Sequence, residues 1–111
     1  MKNMILLILF MTIIIFISGC SEQNVSISDK NKAINACKKE CNSFLSQSKD
    51  LSNGPCILNP IDDAPDWVCD VAHKPREDID NKPENQCSAF REGKAHHFVE
   101  VSPGCELIQT W

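Results

Sequence analysis

Basic charge is scarce in this chain: 11 lysines and arginines face 15 aspartates and glutamates, a net charge of −4. That balance leaves no electrostatic footprint for nucleic acid or for anionic lipid headgroups. Long apolar runs are scarce as well. Met4 to Ile17 is broken only by Thr12, but Ser18-Gly19 and the polar Ser21-Glu22-Gln23-Asn24 follow close behind. A helix crossing the hydrocarbon core needs roughly 20 apolar residues, so this run is short for a span. Signature motifs are missing too: there is no Gly-x-Ser-x-Gly, no His-Glu-x-x-His, no glycine-rich phosphate loop and no Cys-x-x-Cys. Their absence removes the familiar hydrolase, metalloprotease, nucleotide-binding and thioredoxin-like readings. Internal repeats and low-complexity tracts are absent.

What is present at the amino terminus is a leader. Lys2 and the free amino group form a positive start, an apolar stretch follows, and small residues close it, which is the pattern of a secretory signal peptide. Its ending, Ile17-Ser18-Gly19-Cys20, resembles the lipobox of bacterial and archaeal lipoproteins. The resemblance implies cleavage before Cys20, lipidation of Cys20, and a protein held by that lipid at the extracytoplasmic face of the cell membrane; an uncleaved anchor helix is the alternative. The chain then divides into a lipoprotein signal peptide over residues 1–19, a flexible tether over 20–28 with a polar, patternless composition, and a cysteine-rich domain over 29–111. Lys2 leaves with the leader, so ten basic residues face fifteen acidic ones and the mature charge is −5.

A domain of about eighty residues rarely buries enough apolar surface to be stable unaided. The cysteines answer that shortage. With Cys20 assigned to lipid, Cys37, Cys41, Cys56, Cys69, Cys87 and Cys105 remain, an even set that in an exported chain reads as three disulfides. Each bridge contributes roughly 2 to 4 kcal/mol. The count leaves the connectivity open.

One helix is clear. From Asp29 onward Ile34, Cys37, Cys41 and Phe44 or Leu45 recur at the 3.6-residue period, with Lys38, Lys39, Glu40 and Asn42 on the wet side. Ser28 or Asp29 can cap its start, and Asn53-Gly54-Pro55 stops any helix before it. Cys37 and Cys41 share the inward face, so they are expected to bond outward to two other segments and not to each other. Trp67 to Ala72 is rich in β-formers, and period two places Trp67, Cys69 and Val71 on one face. His73 to Asn85, with Pro75 and Pro83, reads as a long irregular connection, and Gln86 to Glu92 as a helical turn ending at Gly93. His96 to Val101 and Glu106 to Trp111 flank the turn Ser102-Pro103-Gly104-Cys105 and are expected to pair as a hairpin. The fold class expected is α+β: one amphipathic helix packed on a small antiparallel sheet, stapled by disulfides.

Four segments carry a further likeness: Asn53-Gly54-Pro55-Cys56, Trp67 to His73 with Pro75-Arg76, Pro83-Glu84-Asn85-Gln86-Cys87, and His97-Phe98-Val99-Glu100. Over about residues 33 to 110 the chain resembles a group of small cysteine-rich exported lipoproteins of archaea and bacteria. The resemblance implies export and six paired cysteines, and it brings no activity or cofactor with it.

The remaining chemistry is thin. Cys37-x3-Cys41 with Cys69-x3-His73 has the ligand types of a Cys3His zinc site, but an extended Cys69 to His73 spans roughly 13 Å, too far for one tetrahedral ion. Asp62-Asp63-x-x-Asp66 lacks the spacing and glycine of a calcium loop. Cys69 or Cys87 with His73 or His97, oriented by Asp70 or Glu100, has the parts of a thiol nucleophile site, yet an even set of six bridged cysteines leaves no thiol. His96 and His97, adjacent on a strand, point to opposite faces, so at most one can join His73 in a common site. Arg76 is the polar anchor of the charged loop, for a carboxylate of the fold or for a partner. Trp111 is the aromatic residue expected to be partly exposed. The reading is a lipid-anchored extracytoplasmic binding or interaction module with no catalytic residue, metal or cofactor; its membrane contact runs through Cys20, its protein or small-molecule partner is open, nucleic acid is excluded, and His73, Arg76, His97 and Trp111 are its candidate binding residues. A small thiol or redox enzyme and a metal-binding protein are the alternatives.

Overall fold

The computed structural model describes residues 22–111. The signal-peptide segment and Cys20 lie outside the described residues. Helix α1 runs Glu22–Ser46. It therefore begins ahead of the expected start, and residues 22–28, read as a flexible tether, are helical; Ser28 and Asp29 lie inside the helix and not at its cap. No proline or glycine interrupts Glu22 to Ser46, and once the turns after Asp29 exist each added residue gains a hydrogen bond for little further ordering. The helix ends earlier than Asn53-Gly54-Pro55. Ser48 takes a left-handed conformation (φ 58°), and the Lys49 and Ser48 N–H groups donate to the Phe44 and Leu45 carbonyls at 3.0 Å each, a Schellman closure.

Strands β1 (Cys56–Leu58), β2 (Trp67–Val71), β3 (His97–Val101) and β4 (Leu107–Thr110) form one sheet in the order β1-β2-β3-β4. The fold is α+β as expected, with one correction: the sheet is mixed. β1 and β2 are antiparallel and so are β3 and β4, but β2 and β3 run parallel, with Trp67 opposite His97, Asp70 opposite Glu100 and Val71 opposite Val101. Parallel neighbours need a crossover of a dozen or more residues. Ala72 to His96 supplies it, through 3-10 turns at Asp78–Asn81 and Pro83–Asn85 and the short helix α2, Ser88–Arg91. Strand β1, which lies between Pro55 and Pro60, closes the other edge of β2.

Both faces of the sheet are covered, which is why all five residues of β2 are buried. On one face α1 packs Ala33, Cys37 and Cys41 against Trp67, Cys69, Val71, Val99 and Val101; Phe44 joins this core and Leu45 is exposed. On the other, Val68 packs with Cys87, Ala89 and Ala95, and with Cys56, Phe90 and Phe98. The disulfides follow the faces. Cys37–Cys69 and Cys41–Cys105 tie α1 to β2 and to the β3–β4 turn, while Cys56–Cys87 ties β1 to the start of α2. Cys37 and Cys41 thus bond outward to two segments, as their shared helical face requires.

Candidate functional site

The alternation that sends Cys69 and Val71 toward α1 sends Val68 and Asp70 the other way, and in β3 it sends Phe98 and Glu100 with them. These four side chains, with Arg76 from the crossover and Phe90 from α2, line a cavity of about 340 Å³ on the sheet face away from α1. That volume lies at the lower end of the roughly 300–1,000 Å³ range of small-molecule sites.

Phe90 is placed by two devices. The Cys56–Cys87 bridge holds the entry of α2, and Asn59 accepts from the Ala89 N–H at 2.8 Å while donating to Ser88 Oγ at 2.7 Å. The ring then meets Phe98 edge to face at 5.2 Å, a favourable aromatic geometry. Trp111 stacks beside Phe98 at 6.1 Å and meets Phe90 at 5.8 Å. With 68% of its surface exposed, the indole forms the outer border of this aromatic wall.

The polar wall is held by a loop built around Asp80. Its Oδ2 accepts from the backbone N–H groups of His73 and Glu77, both at 3.0 Å, and its Oδ1 lies 2.9 Å from His73 Nδ1. Burial pushes the Asp80 carboxyl up, but the backbone N–H groups of Glu77 and His73 and the His73 ring outweigh it and hold Asp80 below the usual carboxylate range. Gly54 makes room for this carboxylate. A Cβ there would stand 2.6 Å from Asp80 Oδ1 and 3.0 Å from the Val71 carbonyl, at φ +67°. Arg76, carried by the same loop, donates to Asn81 Oδ1 at 2.8 Å, to the Asp80 carbonyl at 3.3 Å, and to Glu100 Oε1 at 3.0 Å. Glu100 is buried, and its second oxygen accepts from Gln109 Nε2 at 2.8 Å.

Asp70 is different. It is nine-tenths buried, and its Oδ1 has no hydrogen-bond partner among the described residues. Burial first, and the neighbouring Glu100 charge second, push its carboxyl up to about 8, against the opposing pull of Arg76. These surroundings favour the protonated form of Asp70 near neutral pH, beside the Arg76–Glu100 pair. A buried polar atom without a partner costs about 1–3 kcal/mol and calls for a reason.

The candidate residues from the sequence separate. Arg76 lines the cavity and Trp111 borders its aromatic wall. His73 is at the base of the Asp80 loop, and His97 stacks on Trp67 at 4.6 Å. Because β2 and β3 are parallel, His73 follows the end of β2 while His97 opens β3, so the two sit at opposite ends of the strand pair and share no site. His96 and His97 both reach Asp66, at 2.6 and 3.6 Å; the His96 hydrogen bond, ahead of every other cause, lowers the Asp66 carboxyl. No group of three or more His, Cys, Asp or Glu among the described residues is arranged to hold a metal ion. Cys69, a ligand in the zinc reading, is bonded to Cys37, and the two cysteines of the thiol reading, Cys69 and Cys87, are bonded to Cys37 and Cys56. Asp70 and Glu100 entered the sequence reading only as partners for a histidine, and neither hydrogen-bonds one here.

The chain matches no protein-family model, and neither curated proteins nor solved structures return a match.

Proposed function

We propose that this protein is an extracytoplasmic binding module, tethered to the membrane by lipid on Cys20, that takes a small molecule into the cavity between Phe90, Phe98, Asp70 and Glu100. The observation that carries the reading is Asp70, whose nine-tenths buried side chain lines that cavity and whose Oδ1 has no hydrogen-bond partner among the described residues. In a protein of this size an unsatisfied buried carboxyl is tolerated where something else completes it. The surroundings are consistent with a site: an aromatic wall on one side, a fixed ion pair on the other, and a bridge holding the element between. Thiol catalysis and zinc binding both need free thiolates, and the six cysteines of the domain are paired.

Chemical-shift mapping with a set of small polar fragments tests the pocket. Shifts are expected at Val68, Phe98 and Glu100, and they should vanish in Gln86→Trp, which fills the rim from a side chain outside the core; fragments that bind only elsewhere overturn the reading. Intact mass tests the tether: a mature chain starting at Cys20 with added lipid mass is expected, and a mature chain starting elsewhere or without that mass refutes it.

A further inference from the structure

Resting on that reading, we infer that the ligand is an organic ammonium ion on an apolar stem, with the stem against Phe90 and Phe98 and the ammonium against the Asp70 carboxyl beside Glu100. The charge inventory around Asp70 points to a cation. From β3, Glu100 has both oxygens engaged, by Arg76 and Gln109. From the crossover, Arg76 spreads its guanidinium over Glu100, Asn81 and the Asp80 carbonyl, and Asp80 is held by His73 and Glu77. From α2, Arg91 lines the cavity and donates to the Pro83 carbonyl. Asp70 is therefore the acid of this wall that has an unpartnered oxygen among the described residues, it stands next to Glu100, and the nearest guanidinium is committed. An anion placed against Asp70 meets two acidic groups, whereas an ammonium donates to the carboxyl and offsets their repulsion. The Asp70 side chain lines the cavity, so its carboxyl meets a ligand there without a change of backbone. Aromatic faces add a further attraction for a cation.

Binding is then coupled to a proton. In the empty cavity Asp70 keeps its proton up to about pH 8; the arriving ammonium favours the ionised form, and that proton goes to solvent. Affinity for the cation should accordingly rise about tenfold per pH unit between pH 6 and 8 and level off above.

Phenethylammonium, 2-phenylethanol and phenylacetate share one ring and differ in the charge of the head group. Titration calorimetry of each into the purified full chain at pH 6, 7 and 8, in two buffers of different ionisation enthalpy, reads affinity and proton release together, and Trp111 fluorescence reports occupancy of the adjoining wall. Phenethylammonium is expected to bind at least tenfold more tightly than the other two, releasing close to one proton at pH 7. In Asp70→Asn, which keeps the shape of the side chain, the preference and the pH dependence should both disappear. Binding of phenethylammonium that ignores pH, or that survives Asp70→Asn unchanged, overturns the inference. If the alcohol or the carboxylate binds more tightly and changes Trp111 emission, the ammonium assignment falls and the cavity stands as a binding site. If none of the three binds, both fall.

Discussion

The two faces of the sheet share the same strands and are built on opposite terms. Toward α1, Cys69, Val71, Val99 and Val101 are completely buried among apolar neighbours, and two disulfides cross the interface. On the other side, one residue along in each strand, stand Asp70 and Glu100, also buried, under a thinner cover held by a single bridge. Adjacent residues of β2 thus have opposite duties. A domain this small can keep a carboxyl in a costly environment because the stabilising contacts and the strained group are on different faces. Removing an element of one face should leave a distinct signature from removing an element of the other.

Breaking the bridges of both faces together, two on the helix side and one on the outer side, has the largest expected effect. Reduction of the three bridges should unfold the domain, since native bridges in small exported domains contribute roughly 2 to 5 kcal/mol each. Circular dichroism melts with reductant alone and with chelator alone check this: reductant should abolish the transition and chelator leave it in place. A reduced protein with an unchanged melt would mean that apolar packing against α1 suffices.

The outer face should respond in the opposite direction. Folded, Asp70 keeps its proton to about 8; unfolded, it releases it near its ordinary value of 3.8. Between those values the unfolded chain has lost a proton that the folded chain retains, so the stability present below pH 4 declines as pH rises toward 8. Asp70→Asn removes this loss. The variant should match the wild type near pH 4 and exceed it by on the order of 5 kcal/mol at pH 8 and above, four pH units at about 1.4 kcal/mol each. Denaturant unfolding at pH 4, 6 and 8 reads the difference, and a variant less stable at pH 8 contradicts it.

A smaller loss is expected at Gly54, where the chain passes the Asp80 loop. Gly54→Ala puts a Cβ against Asp80 and the Val71 carbonyl in a left-handed conformation, and should cost about 2 kcal/mol. Smaller still is Arg76→Met. Glu100 loses its ion pair, but Gln109 stays and the arginine side chain is 42% exposed, so solvent replaces part of what is lost; a cost of about 1 kcal/mol is expected, read as a drop of a few degrees in Tm. A loss as large as that of a bridge would mean that Glu100 anchors the fold and not the cavity.

Much of the helix-side face was legible in the sequence. Ile34, Cys37, Cys41 and Phe44 announce it by helical period, and Trp67, Cys69 and Val71 by strand alternation; the outward bonding of Cys37 and Cys41 follows from their common face. The outer face was legible only as a remainder. The same alternation that turns Cys69 inward puts Val68 and Asp70 on the opposite side, so a lone acid inside a β-forming run was the available signal. What it lacked was a neighbour. Asp70 and Glu100 are thirty positions apart, and their meeting depends on β2 and β3 lying side by side in parallel, whereas local pattern favoured antiparallel hairpins. The separation of His73 from His97 follows from the same direction of pairing.

Local periodicity, the even cysteine set and the acid-rich balance belong to the sequence alone, because each is a property of neighbouring residues or of a count. They determine an α+β domain whose helix is tied by its two cysteines to two other segments. The direction of β2 against β3, the pairing of the six cysteines and the neighbours of Asp70 were decided by tertiary structure. The physical reason is that a pKa and an unpartnered oxygen depend on what surrounds a group in space, and here those surroundings come from two strands, a crossover loop and a short helix that no local pattern places together.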